Sequence, residues 1–428
     1  MRHSFLLLTL SFLLSLQSFA GELKGKLERL KDISRIEELT SEYYPEKYLL
    51  RVRQPIDHQH PEAGSFLQRV VVCHLGDNRP TVLVTEGYGG NYALSPHYRE
   101  ELSGLLEANV VFVEHRYFQE SVPESALEWE YLTAENSASD LHHITTTFRQ
   151  LYPGKWISSG ISKGGQTSLI YLAFYPNDVD FSVPYVAPLC RGLEDGRHEV
   201  FLRKVGSRAE RRKIEAFQVE VLKRKESILP MLETFSRERN LTYRLPLAQI
   251  LDYCVLEYSF AFWQWGTPIA GIPSLTSSDQ ILFDHLTDIS GPDYFAENQP
   301  NATFFLQAAK ELGYYGYDTR PFRKYLTIQH AGGYLKQLML PIGAEQTNFN
   351  PALYHKIYRF LKENDPRIIF IYGEFDPWSA AHAPNFPHKK NTRFFFQPRG
   401  NHRARIGNMP EQTKEKIIKQ ISRWLENP

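Results

Sequence analysis

The chain has 428 residues, of which 42% are hydrophobic and 13% aromatic, and its 49 Lys and Arg residues balance 49 Asp and Glu residues. This composition is sufficient for a large core, in one domain or two. A net charge of zero argues against binding to nucleic acid or to a membrane surface, since both select basic proteins.

The first twenty residues are predicted to form a secretory signal peptide. Positive charge in MRHS precedes the apolar residues 5–16, and SFA ends in small residues before Gly21. The apolar stretch is shorter than the roughly 20 residues that a membrane-spanning helix requires. Cleavage after Ala20 predicts a secreted or periplasmic protein without a membrane attachment, and an uncleaved anchor is the alternative.

The three cysteines, Cys73, Cys190 and Cys254, allow at most one disulfide. They are single and far apart, unlike the paired ligands of a zinc site. We therefore expect no metal site.

The first half of the chain predicts alternating strands and helices. Residues 47–57 and 65–75 alternate polar and apolar side chains and are predicted to pair as strands. Continuous apolar runs at 81–90 and 109–118 indicate strands that are buried on both faces of a parallel sheet. The predicted elements that follow are a helix at 135–152, a strand at 156–162, a helix at 164–175 and a strand at 179–189. Such alternation is typical of an α/β fold.

A block with a different, mostly helical pattern follows at 195–345. Charged residues 209–239 predict a long amphipathic helix with a break at Pro230. Two further predicted helices cover 247–266 and 301–315.

Strand patterns return near the end of the chain. They cover 367–378 and 392–406, and a helix at 414–426 follows. We therefore predict an α/β domain made of residues 21–194 and 346–428, into which the helical block 195–345 is inserted.

The stretch Gly160-Ile161-Ser162-Lys163-Gly164 matches the G-x-S-x-G nucleophile elbow, between a predicted strand and a predicted helix. The turn lifts the serine hydroxyl above the sheet edge. Glycines are needed on both sides because a Cβ atom there would clash with the neighbouring helix or strand. The alternative is an ordinary strand–helix turn in which Ser162 caps the helix.

A nucleophilic serine needs a base and an acid, which follow it in the order Asp, His in hydrolases of this kind. Asp376 comes after the strand RIIFIYGEF, and His402 comes after TRFFFQ. Asp376 could instead initiate only an Asp-Pro turn, and His402 could be a surface histidine. His382 and His388 are competing bases, but they lie between the last two strands rather than after the final one.

Catalysis at a carbonyl also needs donors for the developing oxyanion. The backbone N–H of Lys163, the residue after the nucleophile, is one candidate. The other is the backbone N–H of Gly87 or of Tyr88, in the loop TEGYGGNY. The alternative for this loop is a simple glycine-rich turn.

Several segments carry a family resemblance. They are GISKGG (160–165), EHRYFQESVPES (114–125), WEYLTAENSASDL (129–141), FLQAAKELGYY (305–315) and GEFDPW (373–378). Together they resemble the prolyl carboxypeptidase and dipeptidyl peptidase II family of serine peptidases. They are more similar to its bacterial relatives, the secreted tripeptidyl aminopeptidases, because Ser-Lys-Gly-Gly is typical of that branch.

The resemblance implies an α/β-hydrolase fold in which the helical insert forms a cap over the active site. It implies a serine exopeptidase that releases dipeptides or tripeptides from the amino end of short peptides, through an acyl-enzyme and without a cofactor. Ser162 would be the nucleophile, His402 the base and Asp376 the acid. The alternatives are an esterase or lipase on the same fold, and a non-catalytic relative that binds peptides or glycans.

An aminopeptidase must bind a cationic α-amine, for which carboxylates in the pocket are suited. Each candidate carboxylate could equally be structural, for example Glu114 in an ion pair with Arg116. Trp263 and Trp265 are candidates for the wall of an apolar subsite, with core packing as the alternative. The candidate carboxylates are Glu86, Glu114, Glu257 and Glu311.

Overall fold

The computed structural model describes residues 22–123 and 129–426. The predicted signal peptide therefore lies outside the described residues. The chain forms two compact units. The first contains the described residues up to Pro184, Pro366–Ile368 and the described residues from Ile417 onward, and the second contains Tyr185–Asp365 and Ile369–Lys416.

The described residues contain nine strands. In chain order they are β1 (Ile33–Glu38), β2 (Glu46–Pro55), β3 (Ser65–His74), β4 (Thr81–Thr85), β5 (Asn109–Val113), β6 (Trp156–Ile161), β7 (Phe181–Tyr185), β8 (Ile368–Gly373) and β9 (Thr392–Gln397). They form one mostly parallel sheet with the strand order β1-β2-β3-β5-β4-β6-β7-β8-β9. This arrangement confirms the α/β-hydrolase fold that the sequence predicted.

Burial explains why the strands at the centre of the sheet have continuous apolar sequences. Every residue of β4 and β5 is buried, as their continuous apolar runs predicted. The two strands are parallel, with Thr81 opposite Asn109, and β4 is also parallel to β6, with Thr81 opposite Trp156. The predicted pairing of the two alternating segments is confirmed too, because β2 and β3 are antiparallel.

Among the described residues, four α-helices precede residue 195. They are α1 (Glu22–Leu27), α2 (Glu101–Leu106), α3 (Ala134–Phe148) and α4 (Lys163–Phe174). The Thr133 hydroxyl caps α3 by accepting a hydrogen bond from the Asn136 N–H at 3.1 Å. Helix α4 begins directly after β6 and thus fixes the strand–turn–helix geometry at Ser162.

Residues 195–345 are built from helices, and none of the described strands lies in this block. The helices here are α5 (Arg197–Leu202), α6 (Arg208–Lys223), α7 (Lys225–Glu238), α8 (Leu247–Trp265), α9 (Asp279–Ser290) and α10 (Ala302–Gln307), which continues as a π-helical turn to Leu312. After the block come α11 (Ala352–Glu363) and α12 (Glu411–Glu426).

The predicted break of the long helix at Pro230 is wrong. The helix axis is interrupted at Arg224, between α6 and α7, and Pro230 lies inside α7. Arg224 bonds Glu220 at 2.7 Å and Asp279 at 3.0 Å, which favours a bend at that residue. Pro230 is the sixth residue of α7, so its missing N–H removes one internal hydrogen bond without ending the helix.

The three cysteines are buried free thiols. Across the described part of the chain, no helix has both the length and the apolar character that crossing a membrane requires.

Candidate active site

The predicted elbow is a strained turn between β6 and α4. Ser162 has φ 57° and ψ −121°, a left-handed conformation that side chains other than glycine rarely adopt. A non-glycine residue held in such a conformation is typical of functional turns. The Ser162 side chain makes no capping bond to α4, which argues against the alternative of a simple helix cap.

The flanking glycines are required by close backbone contacts, as predicted. A Cβ atom on Gly160 would lie 2.3 Å from the Gly164 carbonyl oxygen, and one on Gly164 would lie 2.7 Å from the Thr85 carbonyl oxygen. The turn therefore packs directly on the end of β4. No larger residue fits at either position without moving the backbone.

The loop after β4 is attached to the elbow by the Lys163 side chain. Lys163 is buried, and its Nζ donates to the Gly87 carbonyl oxygen at 2.6 Å. The ammonium also lies over the rings of Tyr88 and Phe118, at 5.6 and 5.0 Å from their centroids. Lys163 thus contributes more than the predicted backbone donor, because its side chain fixes the loop that carries the second candidate donor.

Both candidates for that second donor are bound to a neighbouring carboxylate. Glu86 Oε1 accepts from the Gly87 N–H at 2.8 Å and from the Tyr88 N–H at 3.2 Å, and its other oxygen accepts from the Tyr92 hydroxyl. Two successive N–H groups directed at one oxygen form an anion-binding arrangement. The two N–H groups therefore converge on one acceptor, which in this structure is Glu86 Oε1.

Asp376 and His402 lie together in the second unit. Asp376 Oδ2 is 2.7 Å from His402 Nδ1, and Asp376 Oδ1 accepts from the Trp378 N–H at 3.1 Å. Asp376 is fully buried and His402 is 5% exposed. A buried carboxylate on Nδ1 holds the imidazole in the tautomer whose Nε2 is free to accept a proton. The predicted pairing of these two residues is therefore observed.

The competing histidines do not contact Asp376 in this arrangement. His382 Nδ1 bonds the Ala383 carbonyl oxygen at 2.6 Å, and its ring packs on Tyr372 and Phe396. His388 is exposed. Asp376 is thus matched with His402 alone among the three predicted bases.

The loop that carries His402 is attached to the end of helix α8. The His402 N–H donates to the Gln264 carbonyl oxygen at 2.9 Å, and Asn401 Nδ2 donates to the Trp265 carbonyl oxygen at 3.1 Å. Helix α8 ends at Gly266, which has φ 70°. These bonds satisfy carbonyl groups that a helix end leaves unpaired, and they hold the loop that carries His402 against the end of α8.

Replacing Gly266 by alanine is expected to disturb this attachment. The new Cβ atom would lie 2.0 Å from Asn401 Nδ2, and alanine at a left-handed position costs about 1–2 kcal/mol. Both the free energy of unfolding and kcat should fall. Gly271→Ala is the matched control, because nothing lies within 4 Å of its added Cβ. Equal urea-unfolding curves and equal kcat for the two variants would contradict the proposed attachment.

The two tryptophans near the end of α8 have different environments. Trp263 is buried, and its ring packs edge-on against Phe375 at 5.3 Å. Trp265 is 47% exposed, and its ring lies edge-on to His402 at 5.9 Å. Trp265 is therefore better placed to contact a ligand beside His402, whereas Trp263 packs in the core and borders a cavity.

Glu257 lies in a cage of tyrosines. It accepts from the Tyr315 hydroxyl at 2.9 Å and from the Tyr317 hydroxyl at 2.7 Å. Burial is the largest cause of a pKa raised to about 8, and the two tyrosine hydrogen bonds oppose it. The carboxyl group therefore carries its proton through most of the neutral range, which makes it a poor partner for an ammonium group.

Glu257 makes the free energy of unfolding fall with rising pH. Its folded pKa of about 8 exceeds the ordinary glutamate value, so the folded state holds the proton that the unfolded state has lost. The penalty begins near pH 4.5, grows to a few kcal/mol and levels off near pH 8. Urea unfolding of Glu257→Gln should therefore show a stability gain over the wild type that widens between pH 5 and pH 8. A constant difference across that range would contradict this account.

The pairing of Glu114 with Arg116 is wrong. Glu114 is fully buried and bonds Arg69 Nε at 3.0 Å and the Gly90 N–H at 2.7 Å, whereas Arg116 bonds Asp140 at 2.7 Å. Glu114 and Arg116 both follow Val113, the last residue of β5, so the alternation of a strand does not place their side chains on one face. Glu114 therefore supports the glycine-rich loop from beneath.

Glu311 lies in the π-helical turn that extends α10, where it contacts Gln307 Nε2 at 3.4 Å. Its side chain is partly exposed. Glu86, as described above, is bound to its own loop. None of the four candidate carboxylates lines the cavity in the helical block.

Comparison with known proteins agrees with this architecture. The chain is 28% identical over 414 residues to a prolyl tri/tetrapeptidyl aminopeptidase of Streptomyces mobaraensis, which covers 94% of this chain and 85% of that protein. The resemblance to bacterial tripeptidyl aminopeptidases is thereby confirmed.

Two solved structures are also similar. A proline iminopeptidase of Mycobacterium smegmatis has 11% identity and a TM-score of 0.41, over 88% of this chain and 98% of that one. An alpha/beta hydrolase of Novosphingobium aromaticivorans has 13% identity and a TM-score of 0.37, over 92% and 98%.

A family model described as PS-10 peptidase S37 matches residues 17–427. The match extends over almost the whole chain and includes the elbow, the loop that carries Asp376 and the helical block. The protein is therefore a serine-type peptidase that belongs to the PS-10 peptidase S37 family.

Proposed function

We propose that this protein is an exported aminopeptidase that releases dipeptides or tripeptides from short peptides, with Ser162, His402 and Asp376 as its catalytic triad. The observation that carries the proposal is the buried Asp376–His402 pair at 2.7 Å. The left-handed conformation of Ser162 supports it further. Export depends on the signal peptide predicted at residues 1–20, and the mature chain would begin at Gly21.

The proposed reaction has two halves. His402 Nε2 takes the Ser162 proton while Oγ attacks the peptide carbonyl carbon, and Asp376 stabilises the imidazolium. Collapse of the tetrahedral intermediate breaks the C–N bond, and His402 gives the proton to the leaving amine. Water then attacks the acyl-enzyme by the same route and restores Ser162. No cofactor takes part in these steps.

Backbone N–H groups would stabilise the oxyanion. The Lys163 N–H is the first proposed donor, and the Gly87 or Tyr88 N–H is the second. In this structure the latter two bond Glu86 Oε1, so the oxyanion would replace that oxygen. The Lys163 side chain supports this exchange, because it holds the Gly87 carbonyl in place independently of Glu86.

Removal of fragments from the amino end is supported by the similarity to the prolyl tri/tetrapeptidyl aminopeptidase and by the helical block at 195–345. We propose that this block is a cap that admits short peptides and excludes folded proteins. Exclusion of water by a cap would also strengthen the electrostatic interactions at the active site.

The test is mass spectrometry of the products formed from an unbiased peptide mixture, with short-chain esters assayed in parallel. We expect amino-terminal fragments of two or three residues and shortened remainders. Cleavage in the middle of peptides, or hydrolysis of esters only, would contradict the proposal. Labelling of Ser162 by a fluorophosphonate, located by peptide mapping, is the expected active-site readout.

A further inference from the structure

A cavity of about 300 Å³ lies within the helical block and belongs entirely to the second unit. Its volume is at the lower end of the range for ligand pockets. Aromatic rings form much of its wall, and a few charged groups complete it. The aromatic residues are Phe260, Trp263, Tyr317 and Phe322.

One carboxylate oxygen in this cavity lacks a hydrogen-bond partner among the described residues. Glu199 is on α5, and its buried Oε2 has no hydrogen-bond partner among the described residues. A buried acceptor without a partner is costly and marks a place where a ligand group is expected. Burial, followed by nearby Glu194 and Asp195, raises the Glu199 pKa, and a bound ammonium group would oppose that shift because it favours the ionised carboxylate.

Neither basic side chain of the cavity wall bonds Glu199, and Arg203 is paired with Asp318, which also lines the cavity. Arg203 bonds Asp318 at 2.8 Å, and Arg211 donates to the Val205 and Gly206 carbonyl oxygens, each at 2.7 Å. The wall also includes the exposed carboxylate Glu215, so acidic groups outnumber basic ones. A carboxylate beside aromatic faces, in an acidic surrounding, selects a small cation such as an ammonium group.

Contacts connect the cavity wall to the catalytic pair. The ring centroids of Phe260 and Trp378 are 5.3 Å apart, and those of Trp378 and His402 are 6.5 Å apart. The cavity wall is thus separated from His402 by two successive ring contacts within the second unit.

We propose that this cavity binds the α-ammonium group and the first side chain of the peptide substrate, and that Glu199 receives the ammonium group. The inference rests on the proposed aminopeptidase function and assigns its amine-binding residue. The aromatic wall would hold an apolar first side chain. A lysine side chain carries the same chemistry, so the test separates the two sources.

The experiment compares Glu199→Gln with the wild type on three anilide substrates. The first is an apolar tripeptide anilide with a free amino terminus, the second is its acetylated form, and the third is an acetylated tripeptide anilide that begins with lysine. Glu226→Gln is the matched control, because Glu226 is an exposed carboxylate of α7 that does not line the cavity.

For the free-amine substrate, we expect Glu199→Gln to lower kcat/KM about 10–100-fold, mainly through KM, as for a lost hydrogen bond to a charged group. The acetylated substrates and the control variant should change less than about twofold, the range of a neutral surface change. Gly316→Ala should have the same selective effect, since its Cβ would lie 2.8 Å from Glu199 Oε1. Thermal unfolding would check that the variants are folded.

Equal losses on the free and acetylated substrates, no loss on either, or a loss confined to the lysine substrate would overturn the assignment. A different result would show that the proposed aminopeptidase function itself is wrong. In that case the wild type would cleave none of the anilides, whatever residue stands at position 199.

Discussion

Alanine at position 162 is expected to lower kcat by about four to six orders of magnitude without unfolding the protein. The change removes only the hydroxyl that we propose attacks the substrate. Ser162 has φ 57°, and alanine tolerates that conformation about as poorly as serine does, so the turn should keep its shape. Initial rates with a peptide anilide and a thermal unfolding curve would measure the two effects separately.

Ser274→Ala is a suitable control for this experiment, because Ser274 is an exposed serine in a turn of the helical block. It should retain wild-type rates. Loss of a triad member leaves a residual rate far below about a hundredth of the wild-type kcat. If Ser162→Ala kept more than that fraction, the nucleophile would be a different residue.

Asparagine at position 376 is expected to lower kcat by about three to four orders of magnitude. In the wild type, His402 Nδ1 faces a carboxylate oxygen of Asp376 at 2.7 Å. Asparagine can place an N–H donor there, which favours the tautomer that carries its proton on Nε2. That tautomer cannot accept the Ser162 proton.

The fold should survive this substitution, because the asparagine oxygen can still accept from the Trp378 N–H. Initial rates and thermal unfolding would again be compared. The control is His388→Gln, since His388 is exposed and was a competing base. Near-normal rates for Asp376→Asn, or a large loss for His388→Gln, would show that acid or base has been misassigned.

Secondary structure was predicted most accurately from the sequence where burial dictates the residue type. Strands β4 and β5 are buried throughout, so their uninterrupted apolar runs were decisive. The elbow was predictable for a related reason, because backbone contacts exclude a Cβ at Gly160 and Gly164. By contrast β1, ISRIEE, has no buried residue, and its polar pattern gave no signal of a strand.

Pairings between side chains that are far apart in the chain could not be predicted from the sequence. Glu114 bonds Arg69 across the β3–β5 pairing rather than the nearby Arg116, and register alone decides this. Glu199 has no motif around it, and only the cavity draws attention to its unpartnered oxygen. The attachment of His402 to α8 had one signal, the glycine after WQW, which is typical of a helix end.

The three cysteines have a consequence for how this enzyme is handled. Each thiol is buried and unpaired, and burial raises the pKa of Cys73 to about 12, so little thiolate is present to react with oxidants or alkylating reagents. The described residues, which include all three cysteines, contain no disulfide for a reductant to break. We therefore expect the same unfolding curve with and without a reductant.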